Sequence, residues 1–219
     1  IGAARNKIFL QGELTQLTYQ AYDMYVRAIE ESQDEIIKAI IPLGLHPNNE
    51  LMIGNKQYTK QELIEYYQYA HDTQLPTNGM YQLVTIMEVL LGDILRLILM
   101  KFPNKIPNKR KCDYEIILNA ESIDQLKLAL ANIVLNELNY KSPKEFAEEF
   151  KNYTGVDLMI SPFYHSFIEL KATRDIHIHN NGISNNIYLT KSGAKARVAK
   201  SGVYLPVDML YYFQNYEAC

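Results

Sequence analysis

Residues 161–182 read SPFYHSFIELKATRDIHIHNNG, and the spacing within them decides the fold. Phe163, Phe167 and Leu170 recur at three- and four-residue intervals. They therefore share one face of a helix opened by Ser161-Pro162 and stopped at Asn181-Gly182. The next positions on that face are Arg174 and, one turn on, His177. A stripe that starts apolar and continues as arginine and histidine brings cationic groups to where core or interface belongs. Burying them unpaired is costly, so a partner or ligand is expected beside them. A guanidinium is a planar fork suited to phosphate, and an imidazole exchanges protons near neutral pH.

Outward from this helix the chain reads as mostly helical. Glu13 to Ile41 has helical periodicity through Leu14, Leu17, Ala21, Met24, Ala28, Ile36, Ile37 and Ile40, and Pro42 and Gly44 end it. Leu45 to Tyr58, with Pro47 and Gly54, reads as a connector with a small hairpin around Gly54-Asn55. Thr59 and Glu62 have capping-box spacing and open a tyrosine-rich helix over Lys60–Thr73, broken at Pro76–Asn78. Met80–Phe102 is the longest helix, with Leu83, Met87, Leu90, Ile94, Leu97 and Ile98 as its stripe. Ser122–Asn139 is amphipathic, and Pro143 opens a short helix to Tyr153 that Gly155 stops. Ile187 to Val207 reads as extended, with turns at Ser192-Gly193 and Ser201-Gly202, before a closing helix over Asp208–Tyr216. The expected fold is an all-α bundle with a small β-hairpin near the C-terminus. One domain spans 1–219, divided into an N-terminal helical segment 1–75 of unassigned role and a core 76–219.

The chain has 219 residues, 47% hydrophobic and 21% charged, enough to bury a core rather than remain disordered. Its net charge of −3 argues against a protein whose whole surface seeks phosphate. Two cysteines, Cys112 and Cys219, make neither a disulfide framework nor a zinc cluster. A reducing, cytoplasmic setting without metal or cofactor is expected. The start, Ile1 to Arg5, lacks both an initiator Met and an apolar secretory run, as in a trimmed fragment. Val84–Met100 is interrupted by Glu88, Asp93 and Arg96, so no membrane association is expected.

The run Arg174-Asp-Ile-His-Ile-His179-Asn-Asn-Gly182 resembles the motif of the HEPN superfamily, an arginine and a polar residue followed after a short spacer by histidine. It is similar to the prokaryotic pattern Arg-Asn-x-x-Val-His-Asn-x-Gly. Arg174, His179, Asn180 and Gly182 match, Asp175 stands in place of Asn, and Ile178 in place of Val. The resemblance covers about nine residues, and the body from Met80 to Tyr216 fits the family layout. It implies a HEPN-like bundle and a metal-independent endoribonuclease, usually a homodimer with its two motifs facing across a groove. The implied setting is a toxin or antiviral defence effector, with an antitoxin or a larger defence complex as partner. The resemblance gives His179 acid–base work, Arg174 stabilisation of the phosphorane, and Asp175 the orientation of either. Two alternatives stand beside it. One is a non-catalytic HEPN module that binds RNA or dimerises. The other is the partner of a minimal nucleotidyltransferase, a class that usually ends its motif in His-x-Tyr where this chain has His179-Asn-Asn.

Helical geometry complicates the histidine assignment. Arg174 and His177 share a face, whereas Arg174 and His179 lie about 140° apart. His179 is expected to be essential and His177 auxiliary, the conflict easing if His179 works with the arginine of a second subunit. An extended His177-x-His179 metal pair lacks a third ligand. Glu88 or Asp93, acids within an apolar helix, are candidates to face the motif and position Arg174, or else are solvent-facing breaks. Lys171 and Asp175 could instead form a plain surface pair. The net charge is also a cancellation. Lys101, Lys105, Lys109, Arg110 and Lys111 have no acid between them, and residues 171–200 oppose Asp175 alone to six cations. Asn180, Lys191, Lys195, Arg197 and Lys200 are therefore expected to bind RNA, the four cations gripping its backbone, unless the loop is a solvated hairpin.

Overall fold

In the computed structural model, the described residues are 1–46, 48, 50–106 and 113–219. Pro47, Pro107, Cys112 and the cationic run Lys109–Lys111 lie outside them. The fold is mainly helical with one two-stranded antiparallel sheet.

Helix α1 spans Gly2–Glu31, a longer and earlier helix than the periodicity implies. It stops at Ser32, and the apolar run that follows is strand β1 (Ile36–Leu45), paired with β2 (Leu51–Thr59). The β-hairpin is thus here, closed by the His46 N–H donating to the Glu50 carbonyl, and not near the C-terminus. Ile36–Ile41 is β-branched at four of its six positions, and that favours a strand once the polar stretch Ser32–Glu35 has ended the helix. Pairing runs from Ile36 opposite Thr59 to Leu45 opposite Leu51, with a bulge between Pro42 and Gly44. The ribbon leaves Ile36, Ile40, Leu43, Leu45, Leu51 and Ile53 exposed.

Thr59 caps α2 (Lys60–Tyr69): its side chain accepts from the Glu62 N–H while Glu62 returns to the Thr59 N–H, the expected capping box. The chain does not break at Pro76–Asn78. A single π turn (Ala70–Gln74) carries it into α3 (Leu75–Lys101), where Pro76 sits in the first turn and lacks only a donor that the helix start does not need. Leu83 on α3 is fully buried as expected, but Leu97 is exposed and Leu95 and Leu99 take the inner face. The 3-10 turn Pro103–Lys105 and a short helix, α4 (Tyr114–Leu118), lead to α5 (Ile123–Asn139), capped by Ser122. Helix α6 (Pro143–Thr154) has Ser142–Glu145 as a second capping box and Gly155 in the left-handed conformation at its end.

Helix α7 (Tyr164–His179) carries the motif. The segment expected to be extended instead forms α8 (Asn186–Ser192) and a 3-10 turn (Gly193–Lys195). Asn185 caps α8 by accepting from the Tyr188 N–H, a local bond that outweighs the strand preference of Ile187-Tyr188-Leu189. A lone antiparallel bridge between Ile183 and Tyr204 is the residue of β structure there. Helix α9 (Met209–Tyr216), capped by Asp208, closes the chain as expected.

Three apolar clusters stack along α3 and α7. Leu95 and Leu99 pack with Val134, Leu138, Phe150 and Tyr153 from α5 and α6. Met80 and Val84 pack with Leu170, Val207 and Tyr211. Ala172 and Ile176 pack with Tyr188 and Leu205. Because α7 joins the second and third clusters, its backbone is held along most of its length. Each fully buried Leu or Val contributes about 1.5–3 kcal/mol. No helix among the described residues is long and apolar enough to cross a membrane.

Candidate functional site

Arg174 leaves α7 toward α3, where its Nη2 donates to Glu88 Oε1 at 2.7 Å. Lys171, one turn earlier, donates to the same oxygen. The Arg174 Nε lies 3.1 Å from Asp175 Oδ1 but is not aligned to donate, and Lys191 from α8 reaches Asp175 Oδ2 at 3.1 Å. A chain of alternating charge results, Lys171–Glu88–Arg174–Asp175–Lys191, with three cations to two acids. Glu88 thus takes the positioning role expected of it, while Asp93 pairs with Arg96 on its own helix. The plain Lys171–Asp175 surface pair does not form; each turns to a different partner. The chain rims a cavity of about 340 Å³ whose interior is apolar, with Leu91, Leu135, Leu138, Phe146 and Phe167 in its wall.

His177 faces elsewhere. Its Nε2 is 2.8 Å from the Leu205 carbonyl oxygen, which can only accept, so the proton is assigned to that nitrogen. Burial lowers its pKa, the Leu205 bond opposes the shift, and the Arg197 charge adds to it. The ring lines a second groove of about 300 Å³ with Tyr69, Thr73, Thr77, Tyr81 and Tyr204. Gly182 permits this packing: its φ is +73°, and a Cβ there would stand 2.6 Å from the Tyr204 ring and 3.0 Å from that of His177. Arg174 and His177 share a helical face yet line different cavities.

His179 is the last residue of α7 and is exposed. No described residue hydrogen-bonds its ring. His177 and His179 lie on a helix and not on a strand, so the extended metal pair does not arise. The described residues contain no cluster of three or more His, Cys, Asp or Glu that could hold a metal ion.

The remaining expected contacts divide. Asn180 uses its amide to donate to the Ile183 carbonyl at 2.6 Å and so fixes the turn after α7. Lys195 and Lys200 are exposed on the loop. Lys105, from the earlier cationic run, donates to the Tyr153 carbonyl.

Arg197 is the clear departure: it turns inward instead of presenting its charge to a phosphate backbone. Its Nε lies 3.3 Å from Oε1 of buried Glu169, its Nη1 donates to the Pro206 carbonyl at 2.7 Å, and its guanidinium lies 4.0 Å above the Tyr211 ring. Glu169 also accepts from Thr173 at 2.7 Å and from Tyr188 and Tyr211 at 2.8 Å each. Burial, with the Glu169 charge next, pushes the Tyr211 phenol far up. Glu169 carries only a faint signal in the sequence, an acid flanked by Ile168 and Leu170.

Three comparisons, with family models, with curated proteins and with solved structures, give no match for this chain.

Proposed function

We propose that this chain is a metal-independent endoribonuclease of the HEPN kind, acting on RNA as a toxin or antiviral defence effector. The observation that carries the reading is the pairing on α7 of an arginine oriented from two sides with an unengaged, exposed histidine at the helix end. The nucleophile belongs to the substrate: a 2′-hydroxyl attacks the adjacent phosphorus, and the 5′-oxygen leaves. His179 moves the proton, and Arg174 stabilises the charge that develops on the phosphorane oxygens. Lys171 and Lys191 restore a positive balance that Glu88 and Asp175 would otherwise quench. Within one protomer Arg174 and His179 lie about 140° apart around the helix. The working pair is therefore Arg174 of one copy with His179 of another.

Purified protein with EDTA should cut single-stranded or structured RNA to 2′,3′-cyclic phosphate ends. His179→Ala should lower the rate by about 10²–10⁴-fold, the usual worth of a positioned proton-transfer group, and Arg174→Ala by about 10²–10³-fold, that of a lost charge-stabilising donor. Mixing the two inactive variants should restore part of the activity. A wild-type chain that neither binds nor cleaves RNA refutes the reading. A non-catalytic RNA-binding or dimerisation module is the second reading, favoured by the engagement of Arg174 with Glu88 and Asp175. RNA binding without cleavage by any variant would establish it.

A further inference from the structure

The outer face of α1 is the feature that nothing so far uses. The inner face packs on α2, the π turn and α3, with Gly12, Thr15 and Ile29 buried. Opposite lie Leu10, Leu14, Leu17 and Met24, which are 63%, 61%, 64% and 71% exposed. With Ala21 and Ala28, also exposed, they recur at alternating intervals of four and three. That is the spacing of a coiled-coil seam, in which Leu14, Ala21 and Ala28 take the a positions and Leu10, Leu17 and Met24 the d positions. A run of apolar side chains this long, left in water, marks an interaction surface.

We propose that this seam is covered by α1 of a second copy, running antiparallel. In an antiparallel pair each a residue faces a d residue of its mate. One register sets Leu17 against Ala21, Leu14 against Met24 and Leu10 against Ala28, and the two-fold axis repeats each layer. Every alanine then meets a leucine, so large and small side chains interdigitate. The same register brings Lys7 opposite Glu31 at both ends of the seam, and Glu13 beside Arg27 on its flank. All four of these charged residues are exposed. A parallel pair has none of this: alanine would face alanine in two layers, Lys7 would face Lys7, and Glu31 would face Glu31. Size and charge select the same orientation independently, which favours a second copy over an unrelated partner. The intrahelical pair of Arg27 with Asp23, 2.8 Å apart, is exposed and open to exchange. This interface rests on α1 alone and does not depend on the ribonuclease reading.

Sedimentation velocity on the full chain should show a dimer that Leu17→Lys converts to monomer. Residue 17 is exposed in the protomer, so circular dichroism and the melting midpoint of the monomer should persist. Glu13→Arg alone should weaken the dimer, and Glu13→Arg with Arg27→Glu should restore it. In a background with Cys112 and Cys219 changed to Ser, Leu17→Cys mixed with Ala21→Cys should cross-link under mild oxidation. Ala28→Cys alone should not. A wild-type monomer, a dimer indifferent to Leu17→Lys, or self-cross-linking through Ala28→Cys would each overturn the proposal. A wild-type monomer would also remove the pairing of Arg174 with a second copy's His179, whereas a dimer indifferent to Leu17→Lys or cross-linked through Ala28→Cys overturns the α1 seam alone.

Discussion

Replacing Arg197 by Met tests whether this cation serves the fold or the substrate. The change removes the ion pair with Glu169, the hydrogen bond to the Pro206 carbonyl and the stack on Tyr211, and it leaves a buried acid without its countercharge. Breaking a buried pair costs about 3–5 kcal/mol. The Arg197 side chain keeps 24% exposure, so water reaches one end and the lower figure applies, about 3 kcal/mol. At about 2–4 °C per kcal/mol for a chain of this size, the melting midpoint should drop by about 6–12 °C. Glu169→Gln keeps one oxygen to accept from Thr173 and Tyr188, replaces the other by an NH2 that donates to the Tyr211 hydroxyl oxygen, and removes the reason for the cation. The double variant should then recover about 1–3 kcal/mol relative to the sum of the singles. Urea unfolding followed by circular dichroism gives each midpoint, and an unchanged m value shows that the same surface is exposed. If the two single effects add to within about 0.5 kcal/mol, the pair is not coupled and Arg197 does not serve the fold through Glu169.

Two further outcomes are expected. Burial holds the His177 pKa below its ordinary value of 6.5, so the unfolded chain takes up a proton there before the folded one does. Stability should therefore fall as pH drops from 6.5 toward the folded pKa, and His177→Gln should flatten that part of a plot of urea midpoint against pH. Gly79→Ala gains about 1 kcal/mol of helix propensity but puts a Cβ 2.6 Å from the ring of fully buried Tyr212. Overpacking at about 1–3 kcal/mol outweighs the gain, so the melting midpoint should fall; a rise would show that the ring has room to move.

What the sequence made legible follows physical lines. The cap at Thr59 and the helix starts at Ser122, Pro143 and Asp208 were readable because each is signalled within one turn of its own residue. The Arg174–Glu88 contact was readable because an acid inside an apolar helix needs a partner. The apolar stripe of α1 was legible as a stripe but not for its direction. Leu14, Leu17 and Met24 face outward because the inner side must pass close to the tyrosines of α9, and it does so with Gly12 and Thr15; a Cβ on Gly12 would lie 2.8 Å from the Tyr216 ring. The Glu169–Arg197 pair joins residues separated by α8 and a 3-10 turn, and no periodicity reports such a meeting. A hairpin was expected around Gly54-Asn55, but that pair lies within β2; strand β1 was missed because Ile36, Ile37 and Ile40 fit a helical stripe as well as a strand, and only the break at Ser32 decides between them.

The π turn at Ala70–Gln74 has a consequence for how this part of the chain can vary. Inward positions on either side of it run Leu63, Tyr67, His71, then Pro76, Met80 and Val84, so the interval lengthens from four to five at the turn. One added residue rotates everything beyond it by about 100°. The π turn absorbs that rotation, so deleting one residue from 72–74 would restore the four-residue interval after His71 and let a plain α-helix keep Leu63, Tyr67 and His71 on the same face as Pro76, Met80 and Val84. Asp72 and Gln74 are exposed and open to replacement. This stretch therefore tolerates the loss of one residue as well as exchange of identity, and homologues should include forms one residue shorter with an unbroken α-helix here.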